Sequence, residues 1–452
     1  MSSRIIDISS FSENQSLAYK IEFNHFNIGD EKPIHLLIKG IAGSGKSYVI
    51  DAIRNLLKEK CQVLAYTGKA SYMVNGITLH SFLKLPIDTK RLSELREIAL
   101  QQLQNNLENV KYIIVDEYSF DGQNLLGWID CRGEQQTMQA NLSVVFLLFL
   151  LLSPVADKPL FHTMPNTDKQ IQGHLMYKEF KQVVTLTINQ GVDGNSNDQC
   201  LFRELLLRVC NGESTLADWH TLLTRTPENV TDLEEFISSS IRLSYLKSKV
   251  AKFNMAKLRS LNQPIATIKA RHPSGAQTLS SDEMGGLELV IYLTKGAGVM
   301  LTMNLCTKVG LCNGALGTVI DFVYAKDQAP RPTLSICVLI QFDGDYSGRS
   351  ASAKFPRCVP ISSVTQVSQN VGQSCERQQL PLRLAWAMTI HKRQGLTLTK
   401  ASIDLGTSEK TSGVTYVALS RGKKLEDLIV EPMTLERLEA SKKINQFIVQ
   451  IR

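Results

Sequence analysis

The sequence of 452 residues contains nine cysteines but no C-x-x-C pair. The cysteines are scattered, and Cys306 and Cys312, whose spacing comes closest to that of metal ligands, have no histidines nearby. A structural zinc site needs closely spaced thiolates and imidazoles, and dense disulfides are typical of small secreted domains. The pattern therefore argues against both kinds of site and predicts reduced thiols inside a cell.

The sequence also lacks an apolar run long enough to cross a membrane as a helix. Leu142–Ala156 (LSVVFLLFLLLSPVA) is uncharged, but its 15 residues fall short of the roughly 20 that a spanning helix needs. We predict a buried central strand there instead. The first 26 residues have no apolar segment typical of secretory signals, and they carry Asp7 and Glu13. We therefore expect neither a leader sequence nor a membrane partner.

Internal repeats, low-complexity tracts and a strong excess of one charge are absent as well. With 50 Lys and Arg against 43 Asp and Glu, the formal net charge is +7, which permits a polyanionic partner without requiring one. Hydrophobic residues make up 43% and charged residues 21%, a usage that excludes disordered and collagen-like proteins. A chain of this length can bury a large core in more than one domain.

Short apolar runs alternate with amphipathic stretches over the first part of the chain. Alternating strands and helices imply a parallel sheet with helices on both faces, so the sequence predicts an α/β domain over residues 1–170. The predicted strands are Ile34–Ile38, Gln62–Tyr66 and Tyr112–Val115, and the predicted helices are Ser47–Lys60 and Arg91–Leu107.

A second α/β block begins near Phe180. Residues 306–379 differ from it, because their β-branched runs, such as Val359–Val367, are separated by Pro, Gly and Ser clusters. This texture is typical of a small antiparallel β-barrel. We therefore predict a second α/β domain made of residues 171–305 and 380–452, with a β insert at 306–379.

Gly40–Ser47 reads GIAGSGKS, which matches G-x-x-x-x-G-K-[ST] between a predicted strand and a predicted helix. Glycines in such a loop let backbone N–H groups turn toward phosphate oxygens at a helix N-terminus. The Lys46 ammonium would neutralise the β- and γ-phosphates, and the Ser47 hydroxyl would bind Mg²⁺. The nucleotide-binding residues predicted in this loop are Gly40, Ala42, Gly43, Ser44, Gly45, Lys46 and Ser47.

A second phosphate-site motif follows at Tyr112–Ser119 (YIIVDEYS), an apolar strand that ends in two carboxylates. Asp116 would hold Mg²⁺ through water, and Glu117 would polarise the attacking water. The two motifs together predict hydrolysis of a nucleoside triphosphate, with ATP as substrate and Mg²⁺ as cofactor.

The order of the motifs resembles superfamily 1 DNA helicases of the PIF/RecD type over nearly the whole chain. The segments that carry this resemblance, besides the P-loop and the Walker B box DEYS, are Asn14-Gln15, Ala65–Ala70 (AYTGKA), Gly76–Phe82 (GITLHSF), Lys295–Leu301 (KGAGVML), Asn304–Val319, Trp386–Leu398 (WAMTIHKRQGLTL) and Val414–Arg421 (VTYVALSR).

The resemblance implies two RecA-like P-loop domains, with an SH3-like barrel inserted in the second. It also implies an ATP-dependent helicase that moves 5′ to 3′ on single-stranded or forked DNA, in repair, recombination or telomere maintenance. No obligatory protein partner is evident, and the compartment would be the nucleus or the mitochondrion in a eukaryote.

The family's functional residues map onto this sequence one by one. By resemblance, Gln15 would read adenine, whereas Arg421 and Gln394 would contact the γ-phosphate region beside Lys46 and Glu117. An arginine in this role neutralises charge that develops in the transition state. The residues predicted to contact DNA are Thr67, Gly68, Lys69, Thr78, His80, His391 and Lys392.

Two of the features that predict DNA binding also occur in proteins that do not bind DNA. From Pro381 to Lys424, eight Lys and Arg face two acidic residues, which favours a polyanion path but is also found on solvated basic surfaces. His80, Phe82, Trp386 and Tyr416 are candidate contacts for nucleotides, although such side chains often belong to a core.

Three positions depart from the family pattern. The family carries Gly-Asp-x-x-Gln-Leu-Pro-Pro after the third strand, where this chain has Leu147–Pro154 (LLFLLLSP), without the Asp or the Gln. A local reading-frame error in the nucleotide sequence would also produce this segment. Resequencing the coding nucleotides distinguishes such an error from a segment that the gene encodes. Gly191 stands where an arginine is usual, and Arg393 replaces a common serine.

Two other functions therefore stay open. A helicase relic would bind nucleotide or DNA without efficient turnover, which would agree with the apolar segment and with Gly191. A P-loop kinase or another small-substrate phosphotransferase would use the same phosphate loop, but it leaves the second α/β block and its VALSR segment without a role.

Overall fold

The computed structural model describes most of the chain. The described residues are 6–29, 32–40, 44–85, 95, 97–116, 122–136, 143–149, 160, 164–186, 197–274, 277–324, 337–344, 346–351, 353–370, 373–390, 398–407 and 413–442. The chain divides into two compact units. Unit 1 comprises Met1–Thr231, Gly395–Thr399 and Leu405–Arg452, and unit 2 comprises Asp232–Gln394 and Lys400–Asp404.

The helices and strands are numbered along the whole chain. The α-helices are α1 (Glu13–Ile28), α2 (Lys46–Leu57), α3 (Gly68–Met73), α4 (Leu79–Phe82), α5 (Glu97–Leu107), α6 (Gln123–Gln136), α7 (Asp168–Lys178), α8 (Asn197–Asn211), α9 (Leu216–Leu223), α10 (Leu233–Ser239), α11 (Lys247–Ser260) and α12 (Val414–Leu419). Residues 435–442 are also helical.

The strands fall into two sets. Those of unit 1 are β1 (His35–Gly40), β2 (Cys61–Ala65), β3 (Ile77–Thr78), β4 (Tyr112–Asp116), β5 (Ser143–Phe149), β6 (Gln182–Leu186) and β20 (Leu428–Glu431). Those of unit 2 are β7 (Ile241–Ser244), β8 (Ala266–Lys269), β9 (Arg271–Ser274), β10 (Val290–Leu293), β11 (Gly298–Leu301), β12 (Leu316–Val323), β13 (Cys337–Phe342), β14 (Cys358–Ser362), β15 (Val364–Asn370), β16 (Gln373–Gln379), β17 (Leu382–Leu384), β18 (Ala387–Thr389) and β19 (Ala401–Asp404).

Unit 1 is built on a six-stranded sheet in the order β3-β2-β4-β5-β1-β6. Every neighbouring pair in it is parallel. The predicted parallel sheet is therefore confirmed. The apolar run at 142–156 supplies β5, an interior strand between β1 and β4, as its sequence predicted. Among the described residues, no helix combines the length and the apolar character that crossing a membrane would need.

Alternate residues of the strands face opposite sides of this sheet, and each side carries its own core. Leu36, Ile38 and Ile114 pack with residues of α2 such as Ile53. Leu37, with Ile113 and Val115 of β4, packs instead with residues of α6. Helices thus cover both faces, as is usual for an all-parallel sheet.

Unit 2 contains mostly antiparallel pairings. One sheet has the order β14-β13-β12-β11-β17, another has the order β15-β16-β9, and β10 pairs with β8. The β-branched run Val359–Val367 is divided between two sheets, because the chain leaves the first sheet after Ser362. The first part, β14, pairs with β13, and the second part, β15, pairs with β16. Strand β7 pairs in parallel with both β18 and β19.

Glu22 is an ionisable side chain in the core of unit 1. It lies on α1, it is 0% exposed, and neither carboxyl oxygen has a hydrogen-bond partner among the described residues. Burial raises the pKa of Glu22 to about 7. The folded chain therefore holds a proton that the unfolded chain loses at a lower pH, so stability falls as pH rises through this range.

Replacing Glu22 with glutamine should remove this pH dependence. We expect the stability of the variant, measured relative to the unchanged chain, to improve by about 3 kcal/mol between pH 4.5 and pH 8. Urea unfolding at both pH values measures the difference. Glu13→Gln is the matched control, because Glu13 lies on the same helix and is exposed. An equal response to pH from both variants would contradict the prediction.

Candidate nucleotide-binding site

The phosphate loop begins where β1 ends at Gly40 and closes where α2 begins at Lys46. Two glycines give the loop its shape. Gly45 caps α2 in the left-handed region, with φ of 77° and ψ of 22°, a conformation that favours glycine. A Cβ on Gly40 would lie 2.4 Å from Ser44 Oγ, so a larger residue at position 40 would displace the Ser44 side chain.

Lys46 points back into this loop. Its side chain is 5% exposed, and Nζ donates a hydrogen bond to the Gly40 carbonyl at 2.8 Å and lies 3.5 Å from Ser44 Oγ. The ammonium is thus held beside the loop backbone, at the N-terminus of α2, where the helix dipole favours anions. A lysine and a helix terminus so arranged can bind a phosphate group.

Gln15 joins helix α1 to the phosphate loop. Its Oε1 accepts a hydrogen bond from the Ser12 N–H at 3.0 Å, which forms a capping box at the start of α1. Its Nε2 donates to the Ser44 carbonyl at 3.2 Å, and the side chain is 1% exposed. Gln15 therefore positions the loop backbone, a role that its predicted contact with adenine did not include. The pattern Ser12-x-x-Gln15 before an apolar stretch is the signal that could have indicated it.

Gln15→Ala and Ser12→Ala should separate the two parts of this role. Both variants remove a capping interaction, so each should lose about 1 kcal/mol of stability. Only Gln15→Ala also releases the Ser44 carbonyl, so it alone should weaken nucleotide binding. Titration with a fluorescent ATP analogue measures the difference, and equal affinities in the two variants would contradict it.

Asp116 lies at the carboxyl end of β4, at the same edge of the sheet as the phosphate loop. One strand, β5, separates β4 from β1. Carboxyl ends of parallel strands are where α/β sheets bind their ligands. The side chains of Ser47 and Asp116 offer a hydroxyl and a carboxylate, the hard oxygen donors that Mg²⁺ prefers. Glu117, Ala42 and Gly43 lie outside the described residues.

The two segments predicted to contact DNA in the first domain, AYTGKA and GITLHSF, contain the residues at which β2 and β3 leave the sheet, at this same edge. In the register of β2 and β3, Ala65 is paired with Thr78. Thr67 caps α3, its hydroxyl accepting from the Ala70 N–H at 3.2 Å, and Gly68 opens that helix. Lys69 is buried, and its Nζ lies 5.6 Å from the centre of the Tyr72 ring.

Several of the candidate nucleotide contacts belong to the protein interior. His80 packs edge-on against Tyr66, with ring centres 5.1 Å apart, and burial lowers the pKa of its imidazole. Phe82 and Tyr416 are both 4% exposed, and Phe82 belongs to the core beneath the sheet. Trp386 is half-buried, with its indole against Gly298.

Arg421 follows α12, a short helix whose residues are all buried. The guanidinium Nε donates to the Val417 carbonyl at 2.8 Å, one terminal nitrogen donates to Ser420 Oγ at 2.9 Å, and the side chain is 6% exposed. A helix thus holds the planar cation in place, within unit 1. His391, Lys392 and Gln394, which the sequence placed in the same group of motifs, lie outside the described residues.

Comparison with known proteins identifies the family. The family model described as "PIF1-like helicase" matches residues 10–215, which include the phosphate loop. The family model described as "DNA helicase Pif1, 2B domain" matches residues 288–322. The two matches together cover more than half of the chain. The chain belongs to the PIF1-like helicase family.

The sequences of curated relatives match this PIF1-like chain along most of its length. The ATP-dependent DNA helicase PIF1 of Xenopus laevis is 28% identical over 92% of this chain, and that of Homo sapiens is 28% identical over 88%. The chain spans about three fifths of these curated relatives, 62% of the first and 59% of the second.

Solved structures confirm the α/β fold. The Pif1 helicase of Candida albicans superposes with a TM-score of 0.70 at 21% identity, covering 98% of both chains. The Bacteroides Pif1 helicase in complex with ADP-AlF3 and single-stranded DNA gives a TM-score of 0.66 at 23% identity, covering 94% of both chains.

One departure of this PIF1-like chain lies beside the phosphate loop. In the register of β5, Leu147 is paired with Ile38 on one side and with Asp116 on the other, and Phe149 is paired with Gly40. The apolar replacement thus begins on the strand between the two phosphate-site motifs. The rest of that segment, from position 150, lies outside the described residues, as do Gly191 and Arg393.

Proposed function

We propose that the chain is an ATP-dependent DNA helicase or translocase that couples ATP hydrolysis to 5′-to-3′ movement on single-stranded DNA. The observation that carries the proposal is the arrangement of the described residues at the two ends of the phosphate loop, where Lys46 is bonded to the Gly40 carbonyl and Gln15 to the Ser44 carbonyl. Family membership supports the DNA substrate, because the curated relatives are named ATP-dependent DNA helicases.

In the proposed reaction, Lys46 binds the β- and γ-phosphates and Glu117 accepts a proton from the attacking water. Arg421 neutralises charge on the transferred phosphoryl group, and Gln394 bonds a γ-phosphate oxygen or the water beside it. Ser47 and Asp116 would hold Mg²⁺, which neutralises phosphate charge when bound.

For the DNA, we propose a path along the AYTGKA and GITLHSF segments, continued by the basic stretch from Pro381 to Lys424. Thr67, Gly68, Lys69, Thr78 and His80 would contact phosphates and sugars in the first part, and His391 and Lys392 in the second. Phosphate contacts carry no sequence information, so binding should be non-specific and should weaken as salt rises.

The larger organisation follows the same proposal. We propose one RecA-like domain over residues 1–170 and a second made of residues 171–305 and 380–452, with an SH3-like insert at 306–379. Single-stranded or forked DNA is the partner, no obligatory protein partner is required, and a eukaryotic chain would work in the nucleus or the mitochondrion. Repair, recombination and telomere maintenance are the processes that suit such an enzyme.

ATP hydrolysis by the purified chain, measured with and without a single-stranded oligonucleotide, tests the proposal. We expect stimulation by DNA that fades with added salt, and unwinding of a duplex with a 5′ single-stranded tail rather than a 3′ tail. An equal rate of ATP hydrolysis with and without DNA would contradict a motor function. Absence of DNA binding at low salt would favour the phosphotransferase alternative.

A catalytically impaired helicase relic is the second candidate function. The position of Leu147 and Phe149 beside Asp116 and Gly40 favours it, because apolar residues near a phosphate site disfavour charged chemistry. Nucleotide and DNA binding without DNA-stimulated hydrolysis would support the relic.

A further inference from the structure

Helices α6 and α7 of unit 1 pack with their backbones in unusually close approach. A Cβ on Gly127 would lie 2.1 Å from the Lys169 carbonyl oxygen, and a Cβ on Gly173 would lie 1.9 Å from the Gln123 carbonyl oxygen. Only glycine fits at these two positions without moving a helix. The close crossing fixes the side chains on either side of it at short range.

One such contact joins Cys131 of α6 to Lys169 of α7. Lys169 Nζ lies 2.6 Å from Cys131 Sγ and donates a hydrogen bond to it. The same ammonium donates to Gln172 Oε1 at 3.1 Å and lies 4.6 Å from the centre of the Trp128 ring. Two groups, the Gln172 amide oxygen and the Trp128 ring, thus hold the lysine nitrogen beside the sulfur.

Gln172 completes the cluster. Its Oε1 accepts from the Cys131 thiol at 2.9 Å as well as from Lys169, and its Nε2 donates to Asp130 Oδ2 at 3.0 Å. The amide is therefore oriented from both ends, so the thiol and the amine are directed at one oxygen and at each other.

We propose that Cys131 and Lys169 form a redox-sensitive pair that oxidation by a hydroperoxide converts into a covalent link between α6 and α7. In the first step the sulfur attacks one oxygen of the hydroperoxide and the O–O bond breaks. The thiol proton joins the leaving oxygen, which gives a sulfenic acid and one molecule of water from hydrogen peroxide, or of an alcohol from an organic hydroperoxide. In the second step the neutral Lys169 amine attacks that sulfur. An S–N bond forms, and the sulfenic oxygen leaves with one amine proton and its own proton as water.

The step is reversible by thiols. Two thiol molecules cleave the S–N bond, return the free thiol and amine, and leave as a disulfide. Sulfenic acids are known to condense with thiols and with backbone nitrogen, and an amine held at contact distance is an equivalent nucleophile. The contacts of the pair include no residue of the predicted nucleotide site, so this inference does not depend on the proposed function.

Access to the sulfur limits which reagents reach it. Cys131 is 9% exposed, whereas Cys200 and Cys306 are exposed, and all nine cysteines are free thiols. A small peroxide can reach the Cys131 sulfur, while a bulky alkylating reagent should label Cys200 and Cys306 first. These two thiols are the internal comparison, because neither belongs to the Cys131–Lys169 pair.

Peptide mass spectrometry of the full chain after hydrogen peroxide treatment tests the link. We expect a cross-linked peptide joining positions 131 and 169, lighter than its two parts by two hydrogen atoms, with trypsin no longer cleaving after Lys169. Reduction with dithiothreitol should restore both peptides.

Two variants test whether the link requires the Lys169 amine and is specific to Cys131. Lys169→Arg keeps a cation over Trp128 but removes the amine, so Cys131 should accumulate as sulfenic or sulfinic acid without a link. Cys200→Ser should leave the link unchanged. If unlinked Cys131 is recovered from the unchanged chain at a peroxide dose that oxidises Cys200, the proposal is overturned.

Discussion

Replacing Lys46 with alanine is expected to reduce DNA-stimulated ATP hydrolysis by at least about a hundredfold, because a preorganised charge at the transferred phosphate is lost. The fold should persist, since the side chain contributes hydrogen bonds to Gly40 and Ser44 that are worth only about 1 kcal/mol each. Initial rates of phosphate release and a thermal melt measure the two effects.

Lys58→Ala is the control for this variant. Lys58 is the exposed residue that directly follows α2, so its loss removes a charge near the same helix without touching the loop. Its turnover should match that of the unchanged chain. Normal turnover in Lys46→Ala would refute the assignment of the phosphate loop.

Replacing Arg421 with alanine should have a second large effect on turnover. An arginine finger contributes on the order of a thousandfold to the rate of phosphoryl transfer, and we expect a loss of that order in kcat with nucleotide affinity largely kept. Arg421→Lys should restore little, because an ammonium lacks the planar set of donors that meets a phosphoryl group. Single-turnover kinetics and nucleotide titration separate the two quantities.

A buried arginine also stabilises its surroundings, so a structural comparison is needed. Arg208 forms a two-nitrogen ion pair with Asp218 in the same unit, and the Asp218 hydrogen bond raises the pKa of the guanidinium. Arg208→Ala should lower the melting temperature and leave kcat unchanged. If both arginine variants lose stability and neither loses kcat, Arg421 is structural.

Local patterns predicted much of unit 1. The strand, glycine loop and helix at 34–60 are adjacent in sequence, so periodicity and the glycine pattern were sufficient to predict them. The apolar run at 142–156 was also predicted as an interior strand, because its length excluded a membrane span. At Val359–Val367 the β-branched residues continue through a point where the chain changes sheets, so the residue types there do not indicate the boundary.

The sequence by itself determined the chemistry available at the phosphate loop, because that chemistry depends on the residue types of one short segment. Tertiary structure alone decided that β5 separates the two phosphate-site motifs, that Gln15 anchors the loop at Ser44, and that Cys131 meets Lys169. These relations join residues far apart in the chain. Strand order and helix crossing bring them together, and neither leaves a periodic signal in the sequence.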